Sequence, residues 1–415
     1  MNLTLPITGT TRKFITTNGK EIFFNSGIGG IVVDTEGKEY FDFVLGLGPV
    51  SIGHANSEFN SMLLEQLTKG VLLPTYSFIH TEYCELLSQH YPNWKTVCLF
   101  KSSSEAVAAA LRLVGMRFTQ KGIIRCGYIG WHDVHLACTP KWHAPRGSLE
   151  RESLYFTQGM RGVSNMEPVY NWLDDNISTL ESLLVKYEKN ISCFICDFYA
   201  LGDNALDKLR QLQLLCRKRG VAIIVDETKT SGRLNPGGIT MDENVDVDFV
   251  ILGKAIGNGI PLASLMVKNV NDWNFTDSRI GGTFSRDTLG AAAGVAQISL
   301  MTQWNGYLQL PRTGIRVCNT INKAIDVAQV SQFVKVVPMF SGALFELRYS
   351  QLIVKNIKKR ALLERCFIDN GILIMDGHCN YICLEHENID WENLTNSCVK
   401  ALLQWKTLLL KLKCD

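Results

Sequence analysis

The sequence predicts an α/β protein whose central sheet is mainly parallel, and three observations lead to this prediction. Two short apolar runs rich in β-branched residues, Val221–Val225 and Phe249–Leu252, have the length of strands and are bounded by turn signals. Such runs are typical of buried parallel strands. An amphipathic helical pattern at Ala205–Arg219 ends at Gly220 and leads directly into the first run. Strand-like and helix-like segments alternate from residue 96 onward, which indicates a doubly wound sheet.

Both apolar runs end on residues that can do chemistry. Asp226 and Glu227 follow the first run, and Gly253 and Lys254 follow the second. In open α/β sheets the ligand crevice lies beyond the carboxyl ends of the strands, so we expect the acid and the amine to face one crevice. Pyridoxal phosphate needs a lysine to form a Schiff base and an acid to keep its ring nitrogen protonated. Taken singly, a strand-ending aspartate or a surface lysine would be the commoner explanation.

The residues around this pair resemble a known family. The segments DET and GKAIGNGIP are similar to the Asp-Glu-Val and Gly-Lys motifs of class III (subgroup II) aminotransferases of fold type I. The resemblance implies a fold type I pyridoxal-phosphate-dependent transferase, with a large domain whose mainly parallel sheet is sandwiched by helices. A smaller α+β domain would be formed by the N- and C-terminal segments. We expect residues 1–60 as an N-terminal segment, 61–305 as the large domain and 306–415 as the C-terminal domain. Asp226 and Lys254 would be the catalytic residues.

The composition excludes several other classes of protein. The chain has 415 residues, 46% hydrophobic and 20% charged, with a formal net charge of +2. It lacks the basic runs interleaved with aromatic residues that indicate nucleic-acid binding. It also lacks an apolar stretch of about 18 residues that could form a membrane helix. The start of the chain does not resemble a signal peptide, so we expect a cytoplasmic protein.

The 13 cysteines do not suggest a disulfide framework or a metal site. Their number is odd and they are scattered along the chain. Cys193 and Cys196 form a C-x-x-C within the strand-like run ISCFICDF, but no second pair stands nearby. We interpret both as buried thiols, the usual role of free cysteine, and expect no bound metal.

The N-terminal region predicts a β-hairpin around the turn D-T-E-G-K, and it too is similar to the family. We interpret His54 as a packing residue. Upstream, the segment Thr11–Phe14 aligns with glutamate-1-semialdehyde aminomutases, in which the arginine binds a substrate carboxylate. Arg12 is therefore a candidate substrate anchor, since a guanidinium can donate two parallel hydrogen bonds to a carboxylate; an exposed terminal arginine is an equal alternative. The residues that match the family pattern are Asp34, Gly37, Tyr40, Asp42, Gly48, Pro49, Gly53, His54 and Ala55.

Two segments are candidates for binding the cofactor phosphate. Serines 102–104 precede an Ala-rich helical pattern, and the exposed N–H groups at a helix start bind anions. By resemblance to the family motif N-S-G-T-E-A, the phosphate would lie on Ser103 and Ser104, although helix capping alone also explains these serines. Thr283 stands where relatives have a threonine that binds the phosphate across a subunit interface. The resemblance therefore implies a homodimer with its active sites at that interface.

The segment GYIGWHD supplies a candidate for stacking on the cofactor ring. Relatives have an aromatic residue here, and Tyr128 occupies its position. Ile129 replaces the histidine of relatives, while Asp197 and Arg286 are further departures from the family pattern. His132 and Asp133 could form a catalytic dyad, but Lys254 already supplies a proton shuttle.

The substrate side is less like the family. His378 stands where the aminomutases have a glutamate that contacts the substrate amino group, and Lys229 adds a second cation near the ring. We expect an aminotransferase that moves an amino group from a donor to the carbonyl of an acidic, carboxylated or phosphorylated substrate, by a ping-pong Schiff-base mechanism. An intramolecular aminomutase of the glutamate-1-semialdehyde type is the main alternative. An epimerase, or a degenerate member that binds the cofactor without catalysis, remains open.

Overall fold

The computed structural model describes residues 13–120, 122–132, 139–140, 144–149, 154–155, 168–174 and 176–411. Within these ranges the helices are α1 (Ser57–Lys69), α2 (Phe78–His90), α3 (Ser103–Arg117), α4 (Ile177–Lys186), α5 (Ala205–Arg217), α6 (Phe275–Ser278), α7 (Thr288–Gln303), α8 (Gly306–Val327), α9 (Ile357–Asp369) and α10 (Trp391–Lys411). The strands are β1 (Phe14–Ile15), β2 (Glu21–Ile22), β3 (Phe24–Ile28), β4 (Ile31–Asp34), β5 (Glu39–Asp42), β6 (Lys95–Phe100), β7 (Gly122–Cys126), β8 (Thr139–Pro140), β9 (Leu154–Tyr155), β10 (Val169–Asn171), β11 (Ile191–Asp197), β12 (Ala222–Asp226), β13 (Phe249–Leu252), β14 (Ala263–Val267), β15 (Val334–Met339), β16 (Leu344–Tyr349), β17 (Ile372–Leu373) and β18 (Asn380–Tyr381).

A seven-stranded sheet forms the centre of the larger part of the molecule. Its strand order is β10-β7-β11-β12-β13-β14-β6. All strands run parallel except β14, which is antiparallel to both of its neighbours. The sheet is therefore mainly parallel, as the apolar runs predicted, and β12 and β13 are adjacent.

Both faces of this sheet are covered. Along β12, Ile223 and Val225 pack into one hydrophobic cluster while Ala222 and Ile224 pack into another. Alternate residues of a strand point to opposite faces, so a strand that is apolar throughout must be buried on both sides. The predicted α/β sandwich is confirmed.

A second core joins the N- and C-terminal segments. Strand β17 pairs in parallel with β5, with Ile372 opposite Phe41. Phe41 and Phe43 pack in the same buried cluster as Trp405 of α10. A three-stranded antiparallel sheet, β15-β16-β18, completes this smaller part. The smaller unit built from both chain ends is confirmed, and the expected boundaries at residues 60 and 305 stay a prediction.

Several local predictions can be followed in the fold. The hairpin is β4–β5, and Asp34 accepts hydrogen bonds from the turn at Glu36 N and Lys38 N. Cys193 and Cys196 are fully buried free thiols on β11, and they belong to clusters on opposite faces of the sheet. In the described part of the chain, no helix combines the length and the hydropathy needed to cross a membrane.

Candidate active site

The acid and the amine that end β12 and β13 line one cavity of about 330 Å³. Asp226 is the last residue of β12, and Lys254 comes two residues after the end of β13, with Gly253 between them. The volume suits a small cofactor, which typically binds in a cavity of at least about 300 Å³. The crevice beyond the strand ends therefore exists, and it brings the two residues together.

Asp226 is held rigidly in the floor of this cavity. Its side chain is 4% exposed, and its Oδ1 accepts a hydrogen bond of 2.8 Å from Thr228 N and another from Thr228 Oγ1. Burial raises the pKa of Asp226 to about 7, with the neighbouring Asp197 carboxylate as the next cause. A positively charged partner would lower the pKa of this carboxyl group and so restore its ionised form.

Lys254 adopts an unusual backbone conformation. Its φ is 49°, in the left-handed region that non-glycine residues adopt rarely and mainly at functional sites. Burial lowers the pKa of Lys254 to about 8, and the like charge of Lys229 is the next cause. Its Nζ lies 3.4 Å from the hydroxyl of Tyr381. An amine with this pKa is neutral in a substantial fraction of molecules near neutral pH, as a nucleophile or base requires.

The start of α3 forms another wall of the cavity, lined by Ser102, Ser103 and Ser104. Ser102 is the N-cap residue, and the Glu105 carboxylate accepts a 2.8 Å hydrogen bond from its backbone N. The N–H groups of the first helical turn have no partner within the helix, so those of Ser103 and Ser104 are donors suited to an anion. Gly253 allows this helix start to approach β13, because a Cβ at Gly253 would lie 2.1 Å from Ser103 Oγ.

These walls fit pyridoxal phosphate in their chemistry. The helix start suits the phosphate, the buried Asp226 suits a protonated ring nitrogen, and Lys254 suits the aldehyde. Tyr128 also lines the cavity, beside Gly130. Thr283, in contrast, is an exposed residue and is absent from the described lining of this cavity. The structure thus brings together five of the six predicted cofactor residues within one chain.

Lys229 is the residue that connects this cavity to a second one. The second cavity measures about 110 Å³ and is also lined by Arg146, Tyr199, Glu346, His378 and Cys379. Lys229 is 7% exposed, and its Nζ lies 2.5 Å from Asp197 Oδ2. His378 and Lys229 therefore line one cavity, and their roles on the substrate side stay a prediction, whereas Arg12 and Asp133 fall outside the described residues.

The second cavity holds charges that are already paired with one another. The Tyr199 hydroxyl donates to Glu346 Oε1, Arg146 Nε lies 3.6 Å from Glu346 Oε1, and Arg348 Nε lies 3.3 Å from Glu346 Oε2. Arg348 also makes a two-fold contact with Asp203 at 2.8 and 2.9 Å. These groups come from segments far apart in the sequence, so a single-sequence reading could not have identified them.

Sequence reasoning missed two residues close to the predicted pair. Asp197 was treated only as a departure from the family, yet it is register partner to Asp226 on the adjacent strand β11. Tyr381, which contacts Lys254, comes from β18 near the end of the chain. A strand-ending carboxylate could have been found from the apolar run before Asp197, but no local pattern indicates Tyr381.

Comparison with known proteins gives a family match, relatives and similar structures. The model of the family "Aminotransferase class-III" matches residues 15–387. The glutamate-1-semialdehyde 2,1-aminomutase of Methanosphaera stadtmanae is 25% identical over 398 residues, which cover 92% of this chain and 91% of that protein. An omega-transaminase from Sphaerobacter thermophilus has a similar structure, with a TM-score of 0.79, 20% identity and coverage of 96% and 94%. A transaminase solved with PLP bound gives a TM-score of 0.77 at 19% identity, again covering 96% of this chain and 94% of that one. At such identities the structural likenesses establish the fold.

Proposed function

The chain belongs to the aminotransferase class-III family, and from this premise we propose that it transfers an amino group to an acidic carbonyl substrate. It is a pyridoxal-phosphate-dependent aminotransferase in its general class. The observation that carries the proposal is the meeting of Asp226 and Lys254 in one cavity, at the ends of adjacent parallel strands. The donor, the acceptor and the roles of individual residues are the proposed part.

The chain's own residues divide the work as follows. When bound, pyridoxal phosphate supplies an aldehyde that accepts amino groups and a protonated ring that withdraws electrons from the reacting carbon. Asp226 would hold the ring nitrogen, and Ser103 and Ser104 would hold the phosphate with backbone N–H groups. Tyr128 would cover one face of the ring. Lys254 would hold the aldehyde and, once its amine is released, move a proton at the reacting carbon.

The second cavity supports an acidic substrate. It adjoins the cofactor cavity through Lys229. Among its described lining residues the cations Lys229, Arg146 and Arg348 outnumber the single carboxylate, Glu346, and His378 adds an imidazole. Cationic and donor groups of this kind recognise carboxylates and phosphates. We propose that the distal acid group of the substrate lies here, with His378 and Lys229 as contacts and Arg12 as a further anchor.

A donor screen tests the reaction and the substrate class together. Holoenzyme is mixed with L-glutamate, and 2-oxoglutarate and the visible absorbance of the cofactor are measured. An aminotransferase releases one 2-oxo acid per cofactor bleached. Glutamine and asparagine serve as matched neutral donors, and we expect glutamate or aspartate to react at least about tenfold faster, as one charged contact would give. Equal rates with the neutral donors would reject the acidic substrate.

An intramolecular aminomutase is the second candidate, favoured by the name of the curated relative at 25% identity. Such an enzyme converts its substrate without net release of an oxo acid from a donor. The same screen separates the two enzymes. With an aminomutase, the 2-oxoglutarate formed should stay below one equivalent per bound cofactor even after repeated additions of glutamate.

We also propose that the chain works as a homodimer. Phe78 is 93% exposed and Phe284, beside Thr283, is 61% exposed. Leu72 forms a backbone bridge with Asp287, which ties the loop before α2 to the segment of Thr283 and Phe284. Exposed aromatic side chains of this kind are typical of an interface, and an interface here would carry Thr283 toward the cofactor of the second copy. We expect Phe78→Asp to give monomers in sedimentation analysis, while Leu352→Asp on the C-terminal segment leaves the dimer intact.

A further inference from the structure

A buried ion pair lies in the wall of the cofactor cavity, between Lys229 and Asp197. The two side chains are 8% and 4% exposed, and their charged atoms are 2.5 Å apart. The Lys229 ammonium also lies 4.9 Å from the centre of the Tyr199 ring. Both residues line the same cavity as Asp226. The pair is therefore fixed in position and close to the predicted contact of the cofactor ring.

Asp197 and Asp226 occupy equivalent places on adjacent strands. They are register partners at the ends of the parallel strands β11 and β12, so their side chains point to the same side of the sheet. Two buried carboxylates side by side repel one another, and one of them tends to take up a proton. The positive charge of Lys229 opposes this tendency, because it lies 2.5 Å from the Asp197 carboxylate and itself lowers the pKa of Asp226.

We propose that Lys229 is a positioning residue that neutralises Asp197 and so favours the ionised form of the Asp226 carboxyl group, which the cofactor ring nitrogen requires. The inference rests on the proposed function, because it assumes that Asp226 meets a protonated ring. It gives Lys229 a role within the protein itself, in addition to its place beside the second cavity. It also explains why a buried lysine accompanies a strand-ending acid at position 197.

Other titratable groups surround Asp226 and must be kept constant in any test. Cys196 lies before Asp197 on β11, and burial keeps its pKa well above the ordinary value, so it stays neutral. Glu227 follows Asp226, and burial raises its pKa to about 7. Lys254 on the next strand end has a pKa lowered to about 8, and Cys379 faces Lys229 from the C-terminal segment with a pKa raised by burial. Because Lys229 also lowers the pKa of Lys254 and of Cys379, the test needs a ligand that forms no Schiff base with Lys254, and pyridoxamine phosphate is such a ligand.

Two single substitutions should shift cofactor binding in opposite directions along the pH axis. The dissociation constant of pyridoxamine phosphate is measured for the full-length apoprotein from pH 5.5 to 9 by quenching of intrinsic fluorescence. Lys229→Met leaves Asp197 uncompensated, so the pH below which binding weakens should rise by about one unit, roughly a tenfold loss of affinity at pH 7. Asp197→Asn leaves the Lys229 charge to act on Asp226. The pH below which binding weakens should therefore fall in this variant. The double variant Asp197→Asn/Lys229→Met should lie close to wild type.

A purely structural ion pair gives a different result. Loss of either partner would then weaken binding at every pH without changing the pH below which binding weakens, or would shift that pH in the same direction in both single variants. Either outcome overturns the inference. Lys229→Arg keeps the charge and should bind with the wild-type profile. If Lys229→Met does not fold, the inference is still tested by Asp197→Asn, in which the pH below which binding weakens should be lower than in Lys229→Arg. A wild-type protein that does not bind pyridoxal phosphate would refute the proposed function. That result is distinct from one in which the protein binds the cofactor but the pH profiles of the two single variants do not shift in opposite directions.

Discussion

The two cavities that share Lys229 are built in different ways. The cofactor cavity is formed by the ends of parallel strands and by the start of α3, and its key groups, Asp226 and Lys254, face open space within it. The second cavity is formed by residues 144–146, Tyr199 just beyond β11, Lys229 and two C-terminal segments, and its charges are largely paired with one another.

This difference separates chemistry from recognition. A parallel sheet delivers every strand end to one edge, so the cofactor residues are positioned by the fold itself. The second cavity depends on how the C-terminal segment packs against the large sheet, so its residues can change without disturbing the fold. We therefore expect substitutions in the first cavity to affect the reaction with every substrate, and those in the second to affect the choice of substrate.

The largest expected effect tests the cofactor cavity. Lys254→Ala removes the amine that holds the aldehyde and moves the proton, and we expect turnover to fall by about 10³–10⁴. Borohydride reduction followed by peptide mapping should locate the covalent cofactor at Lys254 in the wild type and find none in the variant. Lys268→Ala, at the residue that follows the neighbouring strand β14, is the matched control and should keep full activity, since Lys268 is absent from the described lining of the cavity. Comparable turnover in Lys254→Ala would remove the basis of the comparison.

The same contrast explains what could be predicted from the sequence. The ends of β12 and β13 were predictable because apolar runs, turn signals and the residues that follow them are all local features. Ser103 and Ser104 were predictable because helix starts have a characteristic composition.

The remaining features depend on long-range packing. The pairing of Asp197 with Lys229 depends on the register between β11 and β12, which sequence alone does not specify. The contact between Tyr381 and Lys254 joins residues 127 positions apart. A single sequence contains no signal for contacts of this kind.

A second prediction concerns pH and uses the apoprotein. The pKa of Asp226 is raised from 3.8 to about 7, first by burial and then by Asp197. The folded state holds a proton on Asp226 more tightly than the unfolded state does. The contribution of this group to folding stability is therefore complete below pH 4, and it is lost as the pH rises through 7. We expect Asp226 alone to lower the free energy of unfolding by on the order of 4 kcal/mol between pH 4 and pH 8.

Urea unfolding at several pH values measures this effect. Asp226→Asn is the matched variant, because it keeps the shape and removes the titration while Glu227 still titrates. The stability of the variant should fall less steeply with pH than that of the wild type. Parallel curves would mean that Asp226 is not the group that titrates.

A third prediction concerns Tyr381, a residue of the C-terminal strand β18 that contacts Lys254 in the cofactor cavity. Its hydroxyl lies 3.4 Å from Lys254 Nζ, and it is held in place by Arg233, whose guanidinium lies 5.0 Å from its ring centre. Tyr381→Phe removes the hydrogen bond to the amine, and we expect turnover to fall about tenfold with little change in KM. Tyr83→Phe is the control, since it loses a buried hydrogen bond of 2.9 Å to Ser264 away from the cavity. Equal effects of both variants would reduce the role of Tyr381 to stability.

The smallest expected effect lies in the second cavity and tests whether recognition is separate from chemistry. His378 lines that cavity, and its Nδ1 is 2.8 Å from the carbonyl oxygen of Cys379, which orients the imidazole ring. His378→Ala removes one polar contact to a bound acid group, so we expect KM for acidic donors to rise roughly threefold to tenfold, as a net hydrogen-bond contribution of about 1 kcal/mol predicts. Turnover at saturation and KM for the neutral donors should stay close to wild type, because the cofactor cavity is untouched. Steady-state kinetics with glutamate and glutamine measure both quantities in the same preparation. A fall in turnover for both donors would mean that the two cavities act as one, since a residue that only recognises the acid group cannot slow the reaction of a substrate that lacks it.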